Sequence, residues 1–332
     1  MTTEQQTFKT RQMARGWLTR AARCTLPLLM ASMALPALAN NNAYVTNQGE
    51  KTVSVIDMAT HTVTATVPVG DAPAAVAVSP NGASVYVANG NDNTVSVIDA
   101  ATNTVAATVP VQSGPVAVVV SPDGADVYVA NGNADTVSVI DTATNAVVAT
   151  VPVGVIPLTI AISPNGAQVY VGNAVDSTVS VIDTAANAVT ATVPVGTTPY
   201  GVAAGPFGAR VYVANFDSND VSVIDTATNT VTATVAVGNG ADAVAVGTIG
   251  AQVYVANATD NTVSIINSLD KTVVATVPVG ISPASIAVSR SSARAYVANA
   301  GSNTVSVINP LTKKVIATIN VGRLPTAVAT QP

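Results

Sequence analysis

Five residues of this chain have the types and the proximity in sequence to do chemistry together: Tyr200, Phe216, Asp217, Asp220 and Asp242. Two aromatic rings beside unpaired carboxylates suit a small polar or cationic ligand, held by ring faces and by opposite charge. Covalent and metal chemistry is poorly supplied. The only histidine is His61 and the only cysteine is Cys24. A Ser-His-Asp relay, a histidine-rich metal site and haem ligation therefore all lack parts. Carboxylate-bound calcium is the one metal route left, with Asp220 and Asp242 as candidates in a lactonase-like hydrolase that has no clear general base. Calcium needs six to eight converging oxygens, which scattered single carboxylates do not guarantee. The expectation is a non-enzymatic protein with no catalytic residue and no resident cofactor or metal.

These five residues stand out because everything around them is regular. Tyr44, Tyr86, Tyr128, Tyr170, Tyr212, Tyr254 and Tyr296 follow one another at a constant interval of 42 residues, each opening the same Tyr-Val-x-Asn phrase with one Gly variant at Gly172. Tyr200 is the one tyrosine off this ladder. Phe216 stands where other copies have Gly, Ala or Gln, Asp220 replaces a threonine, and Asp242 opens an inner strand. Nearby, Ala236 and Ala241 replace two regular prolines. Drift in a degenerating repeat produces such changes as readily as a binding site does, and both readings stay open.

A period of about forty residues built from short β-type runs is the mark of a blade. One unit reads Tyr86 to Asn89, a variable loop, Thr94 to Asp99, a turn, Thr104 to Val111, a second variable loop, Pro115 to Val120, and the closing Ser121-Pro122-Asp123-Gly124. Its four runs are rich in β-branched residues and bounded by Pro, Gly, Asn and Asp, so each reads as a strand of an antiparallel meander. Ser-Pro-Asn-Gly and Ser-Pro-Asp-Gly turns put Pro where φ is near −65° and Gly where φ is positive. Asp57, Asp99, Asp141, Asp183 and Asp225, with Asn267 and Asn309 in the last copies, are placed to accept their own turn's N–H groups. Pro68, Pro110, Pro152, Pro194 and Pro278 assign the fourth strand to an outer edge.

The first Tyr-Val-x-Asn strand lacks the strand that precedes it in the other units, and Pro325 to Thr330 supplies that strand at the far end. An all-β, seven-bladed propeller of four-stranded antiparallel blades is predicted, its N-terminal blade completed by the C-terminal strand. The Tyr-Val-x-Asn phrase, the Val-Ser-Val-Ile-Asp strand and the Pro-x-x-Val-Ala-Val-Ser-Pro segment resemble the YVTN family of β-propeller repeats, found in bacterial and archaeal exported or surface-layer-like proteins. The resemblance implies the fold and an extracytoplasmic setting. It implies no catalytic motif, because propellers host unrelated activities.

In such a fold the loops between second and third strands share one face with the loops that lead into each inner strand. That face varies from copy to copy, as binding loops on a rigid scaffold do, and as unconstrained loops do. It carries Glu50, Asp71, Asp92, Asp135, Asp176, Asp217, Asp220, Asp242 and Asp260 against Lys51 and Arg323. The shared offset of Asp92, Asp176 and Asp260 marks them as turn acceptors. On the opposite face Lys271, Arg290, Arg294, Lys313 and Lys314 gather in the last two blades. They are either a solubilising patch or a means of docking on an anionic envelope surface.

The first 39 residues stand outside the repeat. Lys9, Arg11, Arg15, Arg20 and Arg23 precede the apolar run Cys24 to Leu38, and Ala37-Leu38-Ala39 offers small residues for cleavage before Asn40. This reads as a secretory signal peptide, followed by one propeller domain over 40–332. The apolar run carries two prolines and is short for a membrane span. Cleavage would leave 8 of 13 basic and 17 of 18 acidic residues, a net charge of −9 with neither Trp nor Cys. That charge opposes nucleic acid. The expected product is a periplasmic or secreted monomer without disulfides, acting as an interaction or envelope-associated scaffold through its acidic loop face, for a protein or envelope component whose identity the residues do not specify.

Overall fold

Each β-branched run becomes a strand whose turns are closed by the residues expected to close them. The structure is a computed structural model that describes residues 41–290 and 294–332; the leader over 1–39 and its cleavage point lie outside them. Among the described residues 28 strands, β1 to β28 in chain order, form seven four-stranded antiparallel sheets. The first blade orders β28 (Pro325–Thr330), β1 (Asn42–Asn47), β2 (Thr52–Asp57) and β3 (Thr62–Pro68), so the C-terminal strand does complete it. Blades 2 to 7 follow over residues 73–110, 115–152, 157–194, 199–236, 241–278 and 283–320.

The ring closes through the inner strands, which begin at Pro73, Pro115, Pro157, Pro199, Ala241, Pro283 and Pro325 and meet one another in cyclic order. Two chain ends are stitched together at the seam. The Thr326 hydroxyl donates to the Pro73 carbonyl of blade 2, and Gln331 both donates to Gly82 O and accepts from Asn42 N. Closure of this kind pairs the edge of β1 that would otherwise stand open as a template for another chain.

Seven apolar clusters fill the seven interfaces between blades, each with one tyrosine of the ladder. Tyr44 packs with Val53 and Val55 of its own blade against Val85 and Val87 of the next, and Tyr296 closes the ring against Ala43 and Val45. All seven rings are buried. They are packing residues. The asparagine that ends each phrase is buried too, and its amide Nδ2 donates to two side-chain oxygens of the neighbouring strand, as Asn131 does to the hydroxyls of Thr136 and Ser138. These bonds tie the second strand to the third at the loop-face end of every blade.

The turns behave mechanically as their residues suggest. Asp57 Oδ1 accepts from Ala59 N and Thr60 N, and Asn309 Oδ1 does the same for Leu311 N and Thr312 N. Gly82, Gly124 and Gly166 take φ of 71°, 77° and 73°, which a Cβ would disfavour. The prolines of the fourth strands lie at the exposed rim.

Two features were not legible beforehand. Each inner strand bulges at its second residue, where Pro73 pairs with Asn89 and Ala75 with Ala88, leaving Ala74 without an opposite number. The same bulge recurs in all seven blades. A second bulge falls in each outer strand, as at Thr64 between the Ala65–Val55 and Val63–Ile56 pairs.

Candidate functional site

The inner-strand bulges stand at the loop-face mouth of the central channel. Bulges re-aim a side chain out of the alternation of its strand. The seven bulged residues are Ala74, Val116, Leu158, Tyr200, Asp242, Ala284 and Thr326. Together they line a cavity of about 390 Å³. Five of them are small or aliphatic, or, like Thr326, hydroxyls engaged in the seam. Only blades 5 and 6 place a phenol and a carboxylate in this ring.

Tyr200 is 40 % exposed, and its ring is tilted against that of Phe216 with centroids 5.1 Å apart. Phe216 comes from the loop between second and third strands of the same blade. That loop is pinned to the lead-in loop by Phe216 N to Thr198 O at 2.9 Å and by the Thr198 hydroxyl to Asp217 Oδ2 at 2.5 Å. The Phe216 ring also lies beside Gly240, two residues before Asp242: a Cβ on Gly240 would come within 3.3 Å of it. Gly201 brings the inner strands of blades 5 and 6 together: a Cβ there would lie 2.9 Å from Ala243 Cα, Asp242 O and Val244 N. The aromatic pair and the carboxylate thus share one wall of the mouth.

Asp242 is half-buried and receives no hydrogen bond from any described residue. Burial alone pushes its carboxyl up to about 7. Loss of water disfavours the charged form, and no described residue compensates it. The Tyr200 phenol is raised first by its own burial, then by the charges of Asp242 and Asp217. A cation seated there would meet a desolvated carboxylate and two ring faces.

The other candidates are placed differently. Asp220 turns to Asn215, accepting from its Nδ2 at 2.6 Å in the position that threonine holds in the other blades. It serves the asparagine tie rather than the mouth. Asp217 is exposed at the rim. Asp92, Asp176 and Asp260 each accept a backbone N–H of their own blade's lead-in loop, from Asp71, Val155 and Asn239 at 2.6, 2.8 and 2.7 Å. One position further on, Asn93, Asp135, Asn219, Asn261 and Asn303 reach forward to the lead-in loop of the next blade. Lys51 occupies that forward position in blade 1 and forms an ion pair with Asp71 at 3.1 Å, holding the Asp71 carboxyl below its usual range. Much of the acidic face is therefore occupied in clamping loop to loop. No group of three or more His, Cys, Asp or Glu side chains converges among the described residues.

The relation between Tyr200 and Asp242 could have been found in the sequence. They lie one repeat apart, at the same offset. What concealed it was the bulge, which turns an unremarkable second strand position into a channel-lining one.

Comparison with known proteins agrees with this architecture. A family model described as the YNCE-like β-propeller matches residues 15–125 and 123–210, more than half of the chain. Among solved structures, the chain is similar to Kuenenia stuttgartiensis hydrazine synthase at 24 % identity and TM-score 0.75, covering 82 % of this chain and 93 % of that one. It is also similar to a functionally unknown protein from Desulfotomaculum acetoxidans at 20 % identity and TM-score 0.78, covering 88 % and 99 %. Those likenesses show the fold. A 39-residue stretch is 62 % identical to the PE-PGRS family protein PE_PGRS18 of Mycobacterium tuberculosis, over 12 % of this chain and 8 % of that protein's length.

Proposed function

The chain belongs to the YNCE-like β-propeller family, and from that footing we propose that it is a non-enzymatic binding propeller that acts after export, taking a cationic group at the loop-face mouth of its channel. The single observation that carries this reading is the half-buried Asp242 carboxyl, without a hydrogen-bond partner among the described residues, beside the Tyr200–Phe216 pair. A desolvated carboxylate costs stability unless an opposite charge compensates it. A ligand ammonium or guanidinium supplies that charge, and the ring faces add cation–π attraction. The rigid seven-blade ring holds all three groups in place before the ligand arrives, which keeps the ordering cost of binding low.

The scaffold role follows from the same arrangement. A lysine or arginine side chain of a protein partner has the same cationic head as a small amine, and the surrounding acidic loops favour the approach of a basic surface. Export is supported by the basic and apolar leader of residues 1–39.

Calorimetric titration with tetramethylammonium and with spermidine tests this function, with acetate as the anionic control. Both cations are expected to bind, acetate is not, and Asp242→Asn is expected to weaken cation binding at least about tenfold. Equal binding by the wild type and the Asp242→Asn variant, or no binding of either cation, contradicts the reading.

A further inference from the structure

The opposite face of the propeller is built differently in blades 5 to 7 than in the blades before them. In blades 2 to 4 the turn after the inner strand carries Asn81, Asp123 or Asn165, each accepting a backbone N–H of its own turn. Blades 5 and 6 put Phe207 and Ile249 at that position, 79 % and 76 % exposed. The turn between third and fourth strands changes in the same direction. Ala59, Ala101, Ala143, Ala185 and Ala227 give way to Leu269 and Leu311, 77 % and 92 % exposed.

Single exposed apolar residues are ordinary, but a contiguous group is not. Phe207 and Ile249 line one groove of about 350 Å³ together with Ser268, the neighbour of Leu269. Ile249 and Leu311 line the next, of about 530 Å³, with Arg294. Phe207, Ile249 and Leu311 therefore form one band across three adjacent blades, with the Leu269 turn next to it.

That band is fringed by cations. Lys271, Arg290, Arg294, Lys313 and Lys314 occupy the turns of blades 6 and 7, where Asp270 is the one acid among the described residues. Lys313 reaches back across the blade boundary to Val274 O at 3.5 Å, beside the Leu269 turn. In a propeller whose residues 40–332 are acidic elsewhere, this is a local reversal of sign.

We propose that the turn face of blades 5 to 7 seats the propeller on an anionic lipid bilayer, with Phe207, Ile249, Leu269 and Leu311 entering the headgroup–acyl boundary and the lysines and arginines meeting lipid phosphates. Apolar tips within a basic fringe match both parts of such a surface, the hydrocarbon edge and the negative potential. A soluble polyanion satisfies only the charges. Seated in this way, the propeller turns its loop face and the Tyr200–Asp242 site away from the bilayer, so the docking surface and the cation site are separate.

The test is flotation of the full chain with vesicles of phosphatidylcholine, with and without phosphatidylglycerol. The leader, where retained, contributes equally to all variants. Binding is expected to rise with phosphatidylglycerol. The triple variant Lys271→Glu/Lys313→Glu/Lys314→Glu is expected to reduce it at least about tenfold at low salt. Phe207→Ser/Leu311→Ser is expected to remove the portion that survives high salt; Leu311→Ser alone, at a side chain 92 % exposed, keeps the test open if the double variant folds poorly. Binding that ignores phosphatidylglycerol, or that persists unchanged in both variant sets, overturns the proposal. So does equal affinity for polyphosphate that is lost with the charge variant and indifferent to the apolar one.

Discussion

Tyr200 and Asp242 stand at the same bulged position of adjacent inner strands, and the Tyr200 phenol, raised first by its own burial, is raised further by the Asp242 charge across the boundary between blades 5 and 6. In the other five blades the position is filled by Ala, Val, Leu or Thr. A scaffold that places charge at one point of a sevenfold ring creates a directional site in an otherwise uniform channel.

The raised Asp242 carboxyl makes stability depend on pH with a definite sign. Its folded value, about 7, lies above the ordinary 3.8, so the folded state holds the proton more tightly than the unfolded chain. This contribution is fully present below about pH 4 and is lost as pH rises to about 7. The loss is up to about 4 kcal/mol, reduced by the carboxyl's remaining contact with water. Asp242→Asn is expected to raise the melting temperature at pH 8 and to leave it unchanged at pH 3.5. Thermal unfolding at the two pH values checks this.

Gly201 sets the approach of the two inner strands. Because the atoms that its Cβ would meet belong to the backbone of blade 6, they cannot step aside as a side-chain end would. Gly201→Ala is expected to cost about 1–3 kcal/mol by urea denaturation and to weaken cation binding by displacing Asp242. Alanine is already native at the same offset in Ala75, Ala117, Ala243 and Ala327, so the penalty belongs to this one interface.

Asp220 separates the site from its surroundings. Since it accepts from Asn215 as threonine does elsewhere, Asp220→Thr is expected to change stability by less than about 1 kcal/mol and to leave cation affinity intact. The corresponding change one residue type deeper is costly. Asn131→Ala strips two hydroxyls of their buried partner and is expected to lower stability by about 1–3 kcal/mol, read from the urea midpoint.

Closure by β28 is testable by truncation. Removing residues 323–332 takes away the inner strand of blade 1 together with the Thr326 and Gln331 seam bonds. The melting temperature is expected to fall by 10 °C or more, roughly what several kcal/mol produce in a chain of this size. An unchanged unfolding curve would contradict the closed ring.

Much of this fold was legible because a repeat states each rule seven times. The tyrosine ladder, the Asp and Asn turn acceptors and the orphan strand at Pro325 to Thr330 led to blades, turns and closure. The site was only half legible. Tyr200, Phe216 and Asp242 stood out as departures, but the bulge that aligns them arises from pairing between strands and is not written in either strand alone. Asp220 looked like part of the group because an acid replaced a threonine, yet both are acceptors and the local bond is the same. Phe207, Ile249, Leu269 and Leu311 passed unnoticed because they sit in turns, where repeats vary freely and an apolar residue is easily taken for drift.

The most direct measurement is a carboxyl-carbon NMR titration of Asp242 in the protein alone and with tetramethylammonium. A cation site at the channel mouth predicts a titration near pH 7 in the free protein, moving down toward the ordinary carboxylate range when the cation is added. A carboxyl that already titrates in that ordinary range, or one that titrates near 7 and ignores the cation, would contradict the account.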